Sequence, residues 1–139
     1  MNPISFNDLQ NKVCVITGGA GVIGSAMVEA MASLGVKIAI ADINKEVADK
    51  VAARISKEFN AKVIGVEANV LDKDSLIAAK KIVNSEFGPV DYLINGAGGN
   101  SPKATAKQEF ITDENIDKLE ETFFGLEMDG FTKVFDLIK

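Results

Sequence analysis

The sequence predicts an α/β fold in which a parallel β-sheet is covered by helices on both faces. Short apolar runs of strand length recur along the chain, and segments with helical spacing separate them. Strands and helices that alternate in this way form right-handed crossovers, which place the strands parallel in one sheet. Residues 12–17, 37–42, 62–67 and 90–95 are the four predicted strands.

Each of the first three strands is followed by a predicted helix. An apolar stripe at helical spacing marks the first helix, which ends near Gly35. That stripe consists of Ile23, Met27, Ala30, Met31 and Leu34. Asn44 is the predicted cap of the second helix, which runs to about Phe59. Asp72 caps the third, which ends before Gly88-Pro89, and its predicted buried side consists of Leu76, Ala79, Ile82 and Val83. Residues 112–124 and 129–139 are predicted to be helical as well.

Composition narrows the function classes. The formal net charge of -5 argues against nucleic acid and against an anionic membrane as partners. No apolar run is long enough to span a membrane, and the first residues lack the pattern of a secretory signal. The chain has no histidine, and its single cysteine, Cys14, is interpreted as a buried strand residue. We therefore expect a cytoplasmic protein that uses neither histidine chemistry nor a metal.

Four glycines lie between the first strand and the first helix, in the stretch "ITGGAGVIG". Gly19, Gly21 and Gly24 fit the spacing G-x-G-x-x-G, in which bare backbone approaches a pyrophosphate and the helix packs closely on the strand. The helix start at Val22 and Ile23 offers free amides to an anion. A tight turn without any ligand is the alternative interpretation.

Asp42 ends the second predicted strand, about twenty residues after the glycines. A carboxylate at this position can accept hydrogen bonds from both hydroxyls of an adenosine ribose. It would repel a 2′-phosphate, so NAD is favoured over NADP. The alternative is that Asp42 is a plain cap of the following helix.

The stretches "ITGGAGVIG", "ANV" at 68–70 and "NGAG" at 95–98, together with Asp42, resemble the cofactor-binding half of the short-chain dehydrogenase/reductase family. The resemblance implies a Rossmann-type doubly wound sheet with strand order 3-2-1-4, truncated so that later strands are absent. It implies that residues 1–139 are the NAD-binding N-terminal portion of a longer enzyme. The implied cofactor-binding residues are Gly18, Gly21, Val22, Ile23, Gly24, Asp42, Asn69, Val70, Asn95, Gly96, Ala97 and Gly98.

Two features of the resemblance concern the branch of the family. "TGGAGVIG" fits T-G-x-x-G-x-x-G, which is typical of the extended branch that acts on nucleotide sugars, because Val22 replaces a glycine of the common form. "NGAGGNSPKAT" at 95–105 instead resembles members described as D-mannonate or fructuronate oxidoreductases. We expect hydride transfer between NAD and a sugar acid or polyol, in carbohydrate metabolism. The alternatives are a nucleotide-sugar epimerase or dehydratase and a non-catalytic dinucleotide-binding module.

The family's catalytic serine and Tyr-x-x-x-Lys have no counterpart in this sequence. Tyr92 is the only tyrosine, position 96 is a glycine rather than a lysine, and Tyr92 is interpreted as core. No catalytic residue is therefore assigned, and residues 1–139 alone are predicted to be inactive. Lys103 could meet a substrate carboxylate, although a solvated loop lysine is favoured, and the acidic stretch 113–121 is interpreted as a solvated helix face. The resemblance also implies a homo-oligomer.

Overall fold

The computed structural model of the chain describes residues 6–138 and divides into two compact units, Met1–Ala97 and Gly98–Lys139. The first unit contains one sheet of four parallel strands in the order β3-β2-β1-β4. The strands are β1 (Val13–Thr17), β2 (Lys37–Asp42), β3 (Val63–Glu67) and β4 (Tyr92–Asn95). The predicted parallel sheet and its strand order are confirmed.

Three helices of the first unit connect these strands: α1 (Val22–Ser33), α2 (Lys45–Phe59) and α3 (Lys73–Phe87). A short 3-10 turn, Asn7–Leu9, precedes β1. Both predicted caps are confirmed, because the Asn44 side chain accepts a hydrogen bond from the Val47 amide and Asp72 accepts one from the Asp74 amide. α2 and α3 begin at these positions because the two side chains accept hydrogen bonds from amides that the first turn of a helix leaves free.

Apolar side chains form a core on each face of the sheet. On one face, α1 and α2 pack against the strands, with Cys14 buried as predicted; α3 covers the other face. The α1 stripe predicted from the sequence is confirmed in part, since Met31 and Leu34 pack against the core. Its other members, Ile23, Met27 and Ala30, are exposed, and the fully buried residues of α1 are Gly24, Val28 and Ala32. Small residues are buried because α1 lies close to the backbone beneath it. On α3, Ala79 and Val83 are buried as predicted, but Leu76 and Ile82 are exposed.

β4 lies at one edge of the sheet, where its only partner among the described strands is β1. Tyr92 is 40% exposed and Leu93 is 60% exposed. The prediction that Tyr92 belongs to the core is therefore wrong. The helices of the first unit pack chiefly over β1, β2 and β3, which leaves the side chains of β4 largely uncovered.

The second unit contains α4 (Met128–Ile138) and three 3-10 turns, Pro102–Ala104, Leu119–Glu121 and Phe123–Gly125. α4 agrees with the helix predicted over 129–139, of which Lys139 lies outside the described residues. The helix predicted over 112–124 is wrong. Asn115 accepts a hydrogen bond from the Thr112 amide and donates one to the Phe110 carbonyl. Side-chain bonds of this kind compete with helical hydrogen bonds and hold the segment in turns. No helix among the described residues is long and apolar enough to cross a membrane.

Candidate functional site

The glycine loop, residues 18–21, leads from β1 into α1. Gly18 has a φ of +65°, a conformation that side chains rarely adopt, and its amide donates to the Ala41 carbonyl over 2.8 Å. A Cβ atom at Gly18 would lie 2.7 Å from the Gly96 carbonyl oxygen. Position 18 therefore requires glycine for its backbone angle and for its space.

Gly24, in the first turn of α1, is the second position where the geometry demands glycine. A Cβ atom there would overlap the Gly18 carbonyl oxygen and would lie 2.7 Å from the Gly19 Cα. Between them, Gly21 caps α1 and donates its amide to the Gly18 carbonyl over 3.1 Å. A Cβ atom at Gly19 would also be crowded, 3.0 Å from the Ile16 carbonyl oxygen. All four glycines of this corner therefore lie where a side chain has little room.

The amino end of α1 leaves backbone donors available. The first amide of the helix with a partner is that of Ser25, which donates to the Gly21 carbonyl over 2.8 Å. Among the residues that the structure describes, no hydrogen bond from the amide of Val22 or Ile23 is recorded, and their side chains are 91% and 73% exposed. Free amides and the positive end of the helix dipole make this corner suitable for an anion.

The carboxylate of Asp42 faces the glycine loop. Its Oδ2 accepts the Ala20 amide over 3.3 Å and its Oδ1 accepts the Asn44 amide over 3.1 Å. Asn44, not Asp42, caps α2, since its Oδ1 accepts the Val47 amide. The alternative interpretation of Asp42 as a plain helix cap therefore does not describe this side chain, which lies where β2 ends beside the loop.

The basic residue that follows Asp42 most closely in the sequence is already paired with another carboxylate. Lys45, the first basic residue after it, donates to both carboxylate oxygens of Asp49, over 2.8 and 2.6 Å. A cation is what a 2′-phosphate on an adenosine ribose would need at this position. The local charge is consequently that of a carboxylate, which suits a ribose with free hydroxyls.

Thr17 is a site residue that the sequence did not reveal. Its hydroxyl, in a residue only 7% exposed, accepts the amides of Gly96 and Ala97, each over 3.1 Å. The hydroxyl also lies 3.5 Å from the Ile94 carbonyl, to which it donates. A polar residue that ends an otherwise apolar strand was the available signal. Thr17 joins the glycine loop to the segment after β4.

Replacing Thr17 by valine should lower the free energy of unfolding by about 1–3 kcal/mol, because two backbone amides lose their acceptor. Thr17→Ser keeps the hydroxyl and should retain most of the stability. Urea unfolding of both variants measures the difference. A loss of stability in the serine variant with none in the valine variant would mean that the methyl group matters and the hydroxyl does not.

The other residues predicted for the site follow β3 and β4. Asn69 accepts the Leu71 amide over 3.0 Å and donates its own amide to the Ser75 hydroxyl, while Val70 is half-buried. Asn95 and Gly96 are exposed and Ala97 is half-buried. The carboxyl ends of parallel strands lie at the same end of the sheet. These segments therefore lie at the end of the sheet that also holds the glycine loop and Asp42. Gly98 is the first residue of the second unit.

Lys103 is bound to carboxylates of its own unit. Its ammonium donates to Glu127 and to Asp129, each over 2.9 Å. These two partners raise the pKa of Lys103 well above its usual range, and the ammonium lowers the pKa of Asp129. Lys103 is therefore a solvent-exposed lysine, as favoured from the sequence, and its ammonium is engaged by two carboxylates of its own unit rather than free for a substrate.

The residues 12–128 match the sequence model of the short chain dehydrogenase family. An uncharacterized oxidoreductase of Haemophilus influenzae is 38% identical over 137 residues, which are 99% of this chain and 47% of that protein. A crystal structure from the same species, described provisionally as a D-mannonate oxidoreductase with bound NAD, matches with a TM-score of 0.84 and 39% identity over 93% of this chain and 45% of that one. An NAD+-bound xylitol dehydrogenase matches with a TM-score of 0.73 and 26% identity, over 93% of this chain and 43% of that one. The chain thus spans about half the length of these relatives.

Proposed function

Because the chain belongs to the short-chain dehydrogenase family, we propose that it is the NAD-binding portion of an oxidoreductase that acts on a sugar acid or a polyol. The observation that carries the proposal is the carboxylate of Asp42 against the glycine loop, 3.3 Å from the Ala20 amide. NAD, when bound, supplies the carbon that accepts a hydride. The two NAD-bound solved structures described above support this cofactor.

Each part of the dinucleotide has a candidate partner on this chain. The pyrophosphate would be held by the amides of Val22 and Ile23. It would lie against the backbone of Gly18 and Gly21, and Gly24 would allow α1 to pack closely on the loop. The Asp42 carboxylate would accept the two ribose hydroxyls.

Residues 69–70 would flank the adenine, where the Asn69 side chain is already engaged by the Leu71 amide. The segment 95–98 would lie beside the adenosine; Thr17 fixes the amides of Gly96 and Ala97 within it. In this proposal residues 1–139 act together as the N-terminal, cofactor-binding portion of the enzyme. The wider proposal is a homo-oligomer in the cytoplasm that serves carbohydrate metabolism.

The substrate class is supported by two names and one sequence stretch. The Haemophilus structure is described as an oxidoreductase of a sugar acid and the xylitol dehydrogenase acts on a polyol. The stretch 95–105 resembles sugar-acid members. The glycine spacing is the one observation that favours the alternative, a nucleotide-sugar epimerase or dehydratase, since the stretch has Val22 where the common form of the family has glycine.

Calorimetric titration of the 139-residue chain with NAD and with NADP tests the proposal. NAD should bind about tenfold more tightly or better, because a 2′-phosphate beside Asp42 meets like charge. ADP-ribose should bind about as tightly as NAD, since the candidate contacts are made to the adenosine and the pyrophosphate. Tighter binding of NADP, or equal binding of the two, would overturn the assignment of Asp42.

The 139-residue chain should not oxidise sugar acids or polyols with NAD. Hydride transfer in this family depends on a tyrosine and a lysine four residues later, and Tyr92 is followed at that spacing by Gly96. Absorbance of NADH at 340 nm, followed with a panel of hexonates and pentitols, measures this. Turnover that survives repurification would show that another residue acts as the general base.

A further inference from the structure

β4 is an edge strand whose outer side has no partner among the described strands. The Lys37 amide donates to the Lys12 carbonyl over 2.8 Å, so the even-numbered positions at β1 direct their backbone groups to β2. The odd-numbered residues of β1 therefore bond to β4, in the register that places Cys14 beside Tyr92. Parallel pairing in this register directs the N–H and C=O groups of Leu93 away from β1. The free edge thus presents a backbone donor and acceptor in the middle of the strand.

The side chains along this edge are apolar and uncovered. Leu93, Tyr92 and the preceding Val90 are all exposed. Leu93 lies beside Val15, on the face of the sheet that α3 covers. Because α3 lies over β2 and β3, Val15 is only half-buried although it belongs to an inner strand. An apolar surface therefore continues from the middle of the sheet to its free edge.

The opposite edge of the sheet, β3, differs from β4. β3 has no exposed large apolar side chain among the described residues, and exposed charged residues, Lys62 and Glu67, lie at its two ends. Charged side chains at an edge are a common means by which proteins prevent pairing between sheets. β4 contains no charged residue, and Tyr92, Leu93 and Ile94 suit a strand. β4 is therefore the edge that is open to another strand.

We propose that the 139-residue chain forms a two-fold dimer in which β4 pairs in antiparallel orientation with β4 of a second copy. The described residues after β4 form turns and one helix and contain no strand, so no described segment of the same chain completes this edge. Antiparallel pairing uses the same surface on both partners and closes after two copies. The two sheets would join into one of eight strands. The backbone of 91–95 makes the pairing, so it occurs with or without NAD.

Symmetry and the match of apolar side chains define the register. With Leu93 on the two-fold axis, its N–H and C=O groups exchange hydrogen bonds with those of the second Leu93, and the two side chains pack together. On the other face of the sheet, Tyr92 of each copy lies opposite Ile94 of its partner. Asp91 lies opposite Asn95, so no like charges meet across the pair.

Sedimentation velocity of the 139-residue chain tests the pairing. One short strand gives a small interface, so monomer and dimer should exchange with a dissociation constant of about 10–100 µM. Raising the concentration through that range should convert monomer into dimer without larger species. Leu93→Lys should weaken the dimer by about tenfold or more, because it places a charge against its own copy. A chain that stays monomeric throughout, or that assembles beyond the dimer, would overturn the proposal.

Ile77→Lys is the matched control for Leu93→Lys. Ile77 is an exposed apolar residue of α3, whose buried residues are Ala79 and Val83. The substitution adds the same charge away from β4 and should change the dissociation constant by less than about twofold. Equal weakening by both variants would mean that net charge or general apolar contact governs association, and the pairing through β4 would be rejected.

Cysteines on β4 test the register without adding charge. Leu93→Cys should give a disulfide-linked dimer under mild oxidation, since paired residues on the axis have Cα atoms about 5.5 Å apart, within reach of a disulfide. Tyr92→Cys, exposed on the same strand, faces Ile94 rather than its own copy and should cross-link at least about tenfold more slowly. Cys14, the one native cysteine, is buried. Equal rates at the two positions, or faster linkage through Tyr92→Cys, would overturn the proposed pairing.

Discussion

Gly24→Ala should destabilise the chain by about 1–3 kcal/mol and should abolish dinucleotide binding. The new Cβ would overlap the carbonyl oxygen of Gly18, and it would also meet backbone of Gly19, so no side-chain rotation can relieve the contact. Alanine is the better helix former, by about 1 kcal/mol, and Gly24 lies inside α1. We expect the overlap to exceed that gain because the helix must move away from the loop. Urea unfolding and NAD titration measure the two effects.

Gly99→Ala is the matched control for this substitution. A Cβ atom at Gly99 meets no heavy atom within 4 Å, and the backbone there does not have a positive φ. Its unfolding free energy and its NAD affinity should stay close to those of the unmodified chain. If Gly24→Ala proved as stable as Gly99→Ala, α1 would not pack closely on the loop, and the role assigned to Gly24 would be wrong.

Asp42→Asn should lower NAD affinity by about tenfold to a hundredfold while leaving NADP affinity unchanged or improved. Hydrogen bonds to a charged group contribute about 1.5–3 kcal/mol, and the neutral amide loses that advantage toward the ribose hydroxyls. It also removes the charge that repels a 2′-phosphate. The ratio of the two dissociation constants, measured by calorimetry, is the decisive quantity because a change in folding would affect both cofactors equally.

Glu46→Gln supplies the control for Asp42→Asn. Glu46 is an exposed carboxylate in the first turn of α2 whose partner is Lys50, so the same unit of charge is lost nearby. Its ratio of NAD to NADP affinity should remain that of the unmodified chain. A ratio that changed equally in both variants would assign the preference to general charge and remove the specific role of Asp42.

The strands and the order of the sheet could be predicted because their signals are local. Strands that are covered on both faces are apolar and β-branched in any α/β sheet, so a short run of such residues predicts one. Asn44 and Asp72 could be predicted as caps because each side-chain oxygen accepts an amide only two or three residues further along. The glycine loop could be predicted as well, because a predicted strand precedes the glycines and a predicted helix follows them.

Other features depended on packing that a single sequence does not display. The buried face of α1 consists of Gly24, Val28 and Ala32, because close approach to the loop selects small residues over the more apolar Ile23 and Met27. Thr17 acts through amides that lie nearly eighty residues further along the chain. The segment 112–124 forms turns because the Asn115 side chain hydrogen-bonds to nearby backbone, which competes with the hydrogen bonds of a helix. The spacing of apolar residues gives no sign of this competition.

The most direct measurement of the central claim is hydrogen exchange of backbone amides in the 139-residue chain, with and without NAD. The claim is that a dinucleotide lies on the amides at the start of α1 and on the Asp42 carboxylate. NAD should slow the exchange of the Val22 and Ile23 amides, which now have no recorded acceptor, and should leave the amides of 35–37 unchanged. Protection that spares Val22 and Ile23 while NAD is bound would contradict the claim.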